Sequence, residues 1–72
     1  MQNLIISEFK KQNLICENDL IEISNDSIVI NSVVKYEVFY NPVKMVVTDS
    51  DDTELYNSEF KSINDLFEEL SN

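Results

Sequence analysis

The 72-residue sequence contains no glycine, alanine, histidine, arginine or tryptophan, and it has one proline and one cysteine. Without glycine it has no phosphate-binding loop, dinucleotide-binding fingerprint or hydrolase nucleophile elbow, because each of these motifs needs backbone conformations that glycine adopts without steric cost. Without histidine it lacks the usual base of a Ser-His-Asp or Cys-His pair, and one cysteine is too few for an ordinary zinc site. Without arginine it has no bidentate clamp for phosphate. We therefore expect no catalytic residues, no metal, no cofactor and no enzymatic activity.

What remains is enough for one folded domain, residues 1–72. Hydrophobic residues make up 43% of the chain, which argues against disorder despite the charge. There is no apolar run of about 18 residues and no basic leader, so we expect neither a membrane span nor a signal peptide. Cys16 has no partner for an internal disulfide, which fits a reducing cytoplasm. We expect it to be a small buried residue; a reactive or intermolecular thiol is the alternative.

The N-terminal segment, residues 3–13, has the pattern of a helix. Ile5, Ile6 and Phe9 fall on one face at helical spacing. Asn13 follows as a left-handed cap where glycine is absent. The apolar start of this segment is also compatible with a strand.

Five segments have the alternation or β-branched content of strands: residues 20–23, 27–31, 33–40, 43–48 and, as a short edge strand, 53–57. Turn residues separate them, at Asn25-Asp26, Asn41-Pro42 and residues 49–52. Tyr36 and Tyr40 share one face of the third strand. They belong either to the core boundary, with hydroxyls reaching water, or to an exposed interface.

The C-terminal segment predicts a second helix. Ser62 is its N-cap and Asp65 lies three residues later, close to a capping box. One apolar stripe follows, made of Ile63, Leu66, Phe67 and Leu70. Because the connections are short, consecutive strands should pair as an antiparallel meander. The sequence therefore predicts a single two-layer α+β domain in which two helices cover one face of a sheet.

The acidic charge is concentrated in the last third of the chain. Residues 1–48 contain six acids and four lysines, a net charge of −2, whereas residues 49–72 contain eight acids and one lysine, a net charge of −7. The functional interpretation is a docking surface for a basic partner; the alternative is an ordinary solvated acidic face. The candidate partner-binding residues are Asp49, Asp51, Asp52, Glu54, Glu59, Glu68 and Glu69.

Residues 49–60 do not form a calcium loop. Asp49, Asp51 and Thr53 match the first, third and fifth ligand positions, but the sixth position is Glu54 rather than glycine, and the twelfth is Phe60 rather than glutamate. We therefore predict no specific metal site in this acidic run.

In size, acidity and its Asn-, Ile-, Asp- and Lys-rich usage, the chain resembles accessory proteins of phages and mobile elements from AT-rich bacteria. Many of those, including anti-CRISPR proteins and DNA-mimic inhibitors, bind and block a host enzyme. The resemblance implies a small acidic inhibitor that occludes a basic nucleic-acid-binding surface of a host protein. At −9 the chain itself should not bind nucleic acid. The alternative is a structural or regulatory homo-oligomer, for example a homodimer formed through an exposed edge strand.

Overall fold

The computed structural model describes residues 2–72 and confirms the predicted α+β domain. Two helices, α1 (Gln2–Lys11) and α2 (Ile63–Ser71), flank five strands in the sequence. The strands are β1 (Leu20–Ile23), β2 (Ser27–Asn31), β3 (Lys35–Tyr40), β4 (Val43–Thr48) and β5 (Glu54–Phe60). They form one antiparallel sheet in the order β1-β2-β3-β4-β5, which is the predicted meander.

Both helices pack on the same face of the sheet. On β3, Val38 is fully buried from this face, and the Tyr36 ring meets Phe9 of α1 edge-to-face, with centroids 5.0 Å apart. Residues paired across antiparallel strands point to the same side, so the register places the apolar positions of the inner strands in one layer. The buried core comprises Ile5, Phe9, Ile15, Ile28, Ile30, Val38, Met45, Val47 and Leu66.

The helix termini confirm two predictions made from single polar residues. Asn13 has a φ of 58°, and the N–H of Leu14 donates to the carbonyl of Phe9 at 3.0 Å, as in a Schellman motif. At the start of α2, the hydroxyl of Ser62 accepts a hydrogen bond from the N–H of Asp65 at 3.3 Å. Both ends therefore satisfy backbone groups that the helices cannot pair internally.

Two strands, β3 and β5, have bounds that differ from the prediction. β3 begins at Lys35 rather than at residue 33, because residues 32–34 form the turn after β2 and leave Val33 94% exposed. β5 continues to Phe60, three residues past its predicted end, and pairs with β4 along this added length. Backbone pairing with a central strand outweighs the weak strand preference of the polar residues in this segment.

One burial prediction is wrong, and a second residue on the inward side is more exposed than its position suggests. Cys16 is exposed, because it lies in the turn before β1, where its N–H donates to the Asp19 carboxylate at 2.8 Å and Ile15 takes the buried position. The alternation of residues 20–23 predicts that Ile23 faces inward, and its pairing with the buried Ile28 places it on that side. It is still 53% exposed, because among residues 2–72 β1 is an edge strand with a neighbour on one side only.

Candidate functional site

The turn between β4 and β5 gathers four of the seven predicted carboxylates: Asp49, Asp51, Asp52 and Glu54. We call these four residues the acidic turn. One oxygen of Asp49, Oδ1, accepts hydrogen bonds from the N–H groups of Asp51 and Thr53, both at 2.9 Å. The backbone closes the same turn, since the N–H of Asp49 donates to the carbonyl of Thr53 at 3.0 Å. Asp49 therefore shapes the turn from within.

The other three carboxylates of the acidic turn are exposed. Asp52 has a φ of 63°, the left-handed conformation that Asp and Asn tolerate better than most residues. Glu54 begins β5, where its carboxylate accepts a hydrogen bond from the Asn57 side chain at 2.6 Å. Asp51 donates its N–H to Asp49 and keeps its own carboxylate in water. The turn thus presents three exposed acids close together on a backbone fixed by the fourth.

The remaining predicted acids lie elsewhere. Glu59 is near the far end of β5, opposite Lys44 on β4, and five residues of strand separate it from Glu54 by roughly 16 Å. Glu68 and Glu69 are exposed on α2, in the helical layer. The structure therefore distributes the seven residues over three places and brings only the acidic turn together.

One lysine lies close to the acidic turn. A shallow cleft of about 270 Å³ separates the β2–β3 and β4–β5 turns, and both Asp49 and Asp52 line it. Lys35 lines the same cleft and adds one positive charge there. In the sequence, no lysine occurs between Lys44 and Lys61, so the turn itself contains no basic residue.

The face of the sheet opposite the helices is a second candidate surface, which the sequence did not reveal. The register aligns Ser27, Phe39, Lys44 and Glu59 in one row across β2 to β5. Among residues 2–72 both helices belong to the other layer, so this row is open to a partner. In the sequence, Phe39 alternates with Val38 and Tyr40, which assigns it to the other face of the strand. Pairing the strands outward from the Asn41-Pro42 turn would also have identified the residues next to it.

A cleft of about 320 Å³ lies at one end of this open face, between the β1–β2 and β3–β4 turns. We call it the Phe39 cleft; its lining residues are Asn25, Asp26, Phe39, Tyr40, Asn41, Pro42, Lys44 and Glu59. The N–H of Tyr40 donates to the carbonyl of Asp26 at 3.1 Å and so fixes one turn beside the other. The Asn41–Pro42 peptide bond is cis.

The groups with shifted pKa values lie outside the acidic turn. Hydrogen bonds, first from the N–H of Cys16 and then from Ser32, lower the pKa of Asp19. Burial raises the pKa of the Tyr36 hydroxyl, and the charge of Asp19 raises it further. Burial also raises the pKa of Tyr40. These groups belong to the β1 turn and the covered face, so they mark the core boundary rather than a reactive site.

The tyrosines settle one open alternative. Tyr36 and Tyr40 are half-buried on the covered face, so they are not exposed interface anchors. The Tyr40 hydroxyl is buried and lacks a hydrogen-bond partner within residues 2–72. Gln2 lies near enough to offset part of the pKa rise but not in hydrogen-bonding geometry. The expected contact of this hydroxyl with water is therefore wrong.

Across the described chain, no group of three His, Cys, Asp or Glu side chains is arranged to hold a metal ion. Neither described helix has the length and apolar character needed to cross a membrane. Comparison of the chain with protein-family models, with curated proteins and with solved structures gave no match.

Proposed function

We propose that the protein is an acidic inhibitor that docks on a basic, nucleic-acid-binding surface of another protein and occludes it. The observation that carries this proposal is the acidic turn. Asp51, Asp52 and Glu54 are exposed next to one another, and Asp49 holds the backbone beneath them. A turn whose backbone is already held by hydrogen bonds loses less conformational entropy on binding, which favours association.

The chemistry of such a surface resembles that of a nucleic-acid backbone. Duplex DNA carries one negative charge per about 1.7 Å of helix axis, and the proteins that bind it place lysine and arginine against those charges. Adjacent carboxylates offer a similar density of negative charge on a protein scaffold. The net charge of −9 adds a long-range field that attracts a basic partner and repels nucleic acid itself. Association should consequently be fast and sensitive to salt.

The test compares two charge-reversal variants. In the first, the exposed acids of the acidic turn are reversed (Asp51→Lys, Asp52→Lys and Glu54→Lys). In the second, three exposed acids elsewhere are reversed (Glu17→Lys, Glu68→Lys and Glu69→Lys), which changes the net charge by the same amount. Each protein is used to capture partners from a lysate of the native host at low and moderate salt, with circular dichroism as the check of folding.

The proposal predicts that the wild-type chain captures a nucleic-acid-binding protein and inhibits its binding to DNA or RNA. The acidic-turn variant should lose both properties, and the matched variant should keep them. Equal capture by both variants would contradict the acidic turn as the site. Capture without any inhibition of nucleic-acid binding would contradict the inhibitor role.

The homo-oligomer remains a second candidate because of the sheet edges. In the described part of the chain, β5 is a seven-residue edge strand whose outer backbone groups have no neighbouring strand, and its Leu55 is 55% exposed. Such an edge can pair with a second copy. Light scattering at tens of micromolar separates the two candidates, since a mass of 8.4 kDa would identify a monomer and contradict the oligomer.

A further inference from the structure

We infer that the Phe39 cleft receives an arginine side chain from the protein partner. This inference rests on the proposed function, because it names the group by which a basic partner is held at a second point. The observations behind it are independent of the acidic turn: a cavity of about 320 Å³ whose lining includes a phenylalanine, which brings an aromatic ring, and two acidic residues, which bring carboxylates. The ring belongs to Phe39, and the carboxylates belong to Asp26 and Glu59.

The lining of the cleft suits a planar cation. An aromatic ring attracts a guanidinium group over its face, and a carboxylate accepts paired hydrogen bonds from the same group. Lys44 also lines the cleft, so the three charged side chains leave a net charge of −1 for an incoming cation to neutralise. Arginine fits this combination better than lysine, because the flat guanidinium can stack and form paired hydrogen bonds at once.

Other occupants fit less well. A phosphate-bearing ligand would meet the carboxylates of Asp26 and Glu59. A second copy cannot supply the guanidinium, because this chain contains no arginine. The volume lies near the lower limit of small-molecule sites, which matches one long side chain. Among these occupants, an arginine side chain of a different protein best matches both the aromatic ring and the carboxylates of the lining.

The position of the cleft supports a two-point contact. β4 begins at Val43, beside the cleft, and ends at Thr48, where the acidic turn starts. The two sites are thus at opposite ends of one strand, roughly 16 Å apart. A basic surface on the partner can span that distance, with lysine or arginine groups at the turn and one arginine in the cleft.

The test is a nuclear magnetic resonance titration of the full ¹⁵N-labelled chain. The probe is a blocked tripeptide with a central arginine, and its control is the same peptide with citrulline, which keeps the shape and lacks the charge. We expect the arginine peptide to shift the amide signals of Asp26, Phe39, Lys44 and Glu59. The citrulline peptide should bind at least about tenfold more weakly, since a hydrogen bond to a charged group contributes about 1.5–3 kcal/mol.

Two variants on the open face of the sheet test the carboxylate and the aromatic ring assigned to the cleft. Glu59→Gln removes a carboxylate charge, and Phe39→Leu removes the ring while keeping an apolar side chain; each should weaken the arginine peptide severalfold. Unchanged signals from α1 and α2 would verify that both variants keep the fold. Equal binding of the two peptides, shifts confined to other surfaces, or affinity unchanged in both variants would overturn the inference.

The outcomes separate this inference from the proposed function. If capture of the partner is lost on charge reversal of the acidic turn while Phe39→Leu and Glu59→Gln capture it normally, the cleft inference fails alone. If the arginine peptide binds at the cleft as expected but reversal of the acidic turn leaves partner capture intact, the proposed function of that turn fails alone.

Discussion

The carboxylate of Asp49 accepts a hydrogen bond from the N–H of Thr53 at 2.9 Å, across the turn that joins β4 to β5. The same oxygen accepts the N–H of Asp51. An acid counted among the binding residues from the sequence thus has a structural task as well. Its side chain accepts backbone N–H groups within the turn and so helps to fix the backbone that carries the neighbouring acids.

Removing the Asp49 acceptor should destabilise the protein. Asp49→Ala leaves two N–H groups without their partner, and we expect a loss of about 1–2 kcal/mol in the free energy of unfolding. Asp49→Asn keeps a neutral acceptor and should lose less. Urea unfolding measures both. Asp51→Asn is the control, because the Asp51 side chain is exposed; a larger loss in this control than in Asp49→Ala would contradict the assigned role.

The left-handed residue after α1 offers a stabilising change. Asn13 has a φ of 58°, a conformation that glycine adopts without steric cost. Asn13→Gly should raise the free energy of unfolding by about 0.5 kcal/mol, and Asn13→Ala should lower it by about 1 kcal/mol. We expect the urea midpoint to be highest for glycine, intermediate for asparagine and lowest for alanine. A more stable alanine variant would show that the end of the helix differs from this description.

The buried Tyr40 hydroxyl should make the protein less stable than its phenylalanine variant. The hydroxyl has no hydrogen-bond partner in the described chain, and burial of an unpaired hydroxyl costs about 1–3 kcal/mol. We expect Tyr40→Phe to raise the thermal midpoint at neutral pH. A lower midpoint would mean that the hydroxyl has a partner, for which Gln2 is the nearest candidate.

Stability should also fall at alkaline pH. Burial raises the pKa values of Tyr36 and Tyr40 above the ordinary value of about 10. The folded protein therefore retains these protons more strongly than the unfolded chain, so their contribution is complete below about pH 10 and is lost as the pH rises through the folded pKa values. Urea unfolding from about pH 8 to about pH 11 should show this decline. A double Tyr36→Phe, Tyr40→Phe variant should show a shallower decline; an identical slope would contradict the assignment.

Added salt should raise the thermal midpoint by a few degrees. The chain carries 14 acids against 5 lysines, and the acidic turn places three exposed acids side by side. Raising the ionic strength from about 10 mM to about 150 mM shortens the screening length from about 30 Å to about 8 Å, which weakens their mutual repulsion. Neutralising Asp51 and Asp52 to asparagine should reduce the response. The same midpoint at both salt concentrations would show that these charges do not repel appreciably in the folded protein.

Local signals in the sequence predicted much of the fold. Asn13 and Ser62 marked helix ends, and the alternation in the third strand grouped Tyr36 and Tyr40 on one face, which the structure shows to be the covered one. The end of β5 was harder to predict, because its strand state depends on pairing with β4 rather than on its own residues. The exposure of Cys16 was also hard to predict, because it depends on the geometry of the turn before β1 and not on the apolar character of the residue.

The candidate site was predictable only in part. A run of acids between residues 49 and 54 is visible in the sequence, and the turn keeps it together. Glu68 and Glu69 belong to the same acidic last third of the sequence, but they lie on α2, in the other layer of the fold. The Phe39 cleft depends on strand register and on the approach of two turns, neither of which a charge count contains.

The central claim is that the acidic turn, rather than net charge alone, binds the basic partner. The most direct measurement is the affinity of the captured partner for the two charge-reversal variants at low salt. Reversing three exposed charges changes three attractions into repulsions, which should reduce the binding free energy by about 3 kcal/mol. The acidic-turn variant should therefore bind about 100-fold more weakly. The matched variant should stay within about fivefold of the wild type. Equal losses in the two variants would contradict the claim.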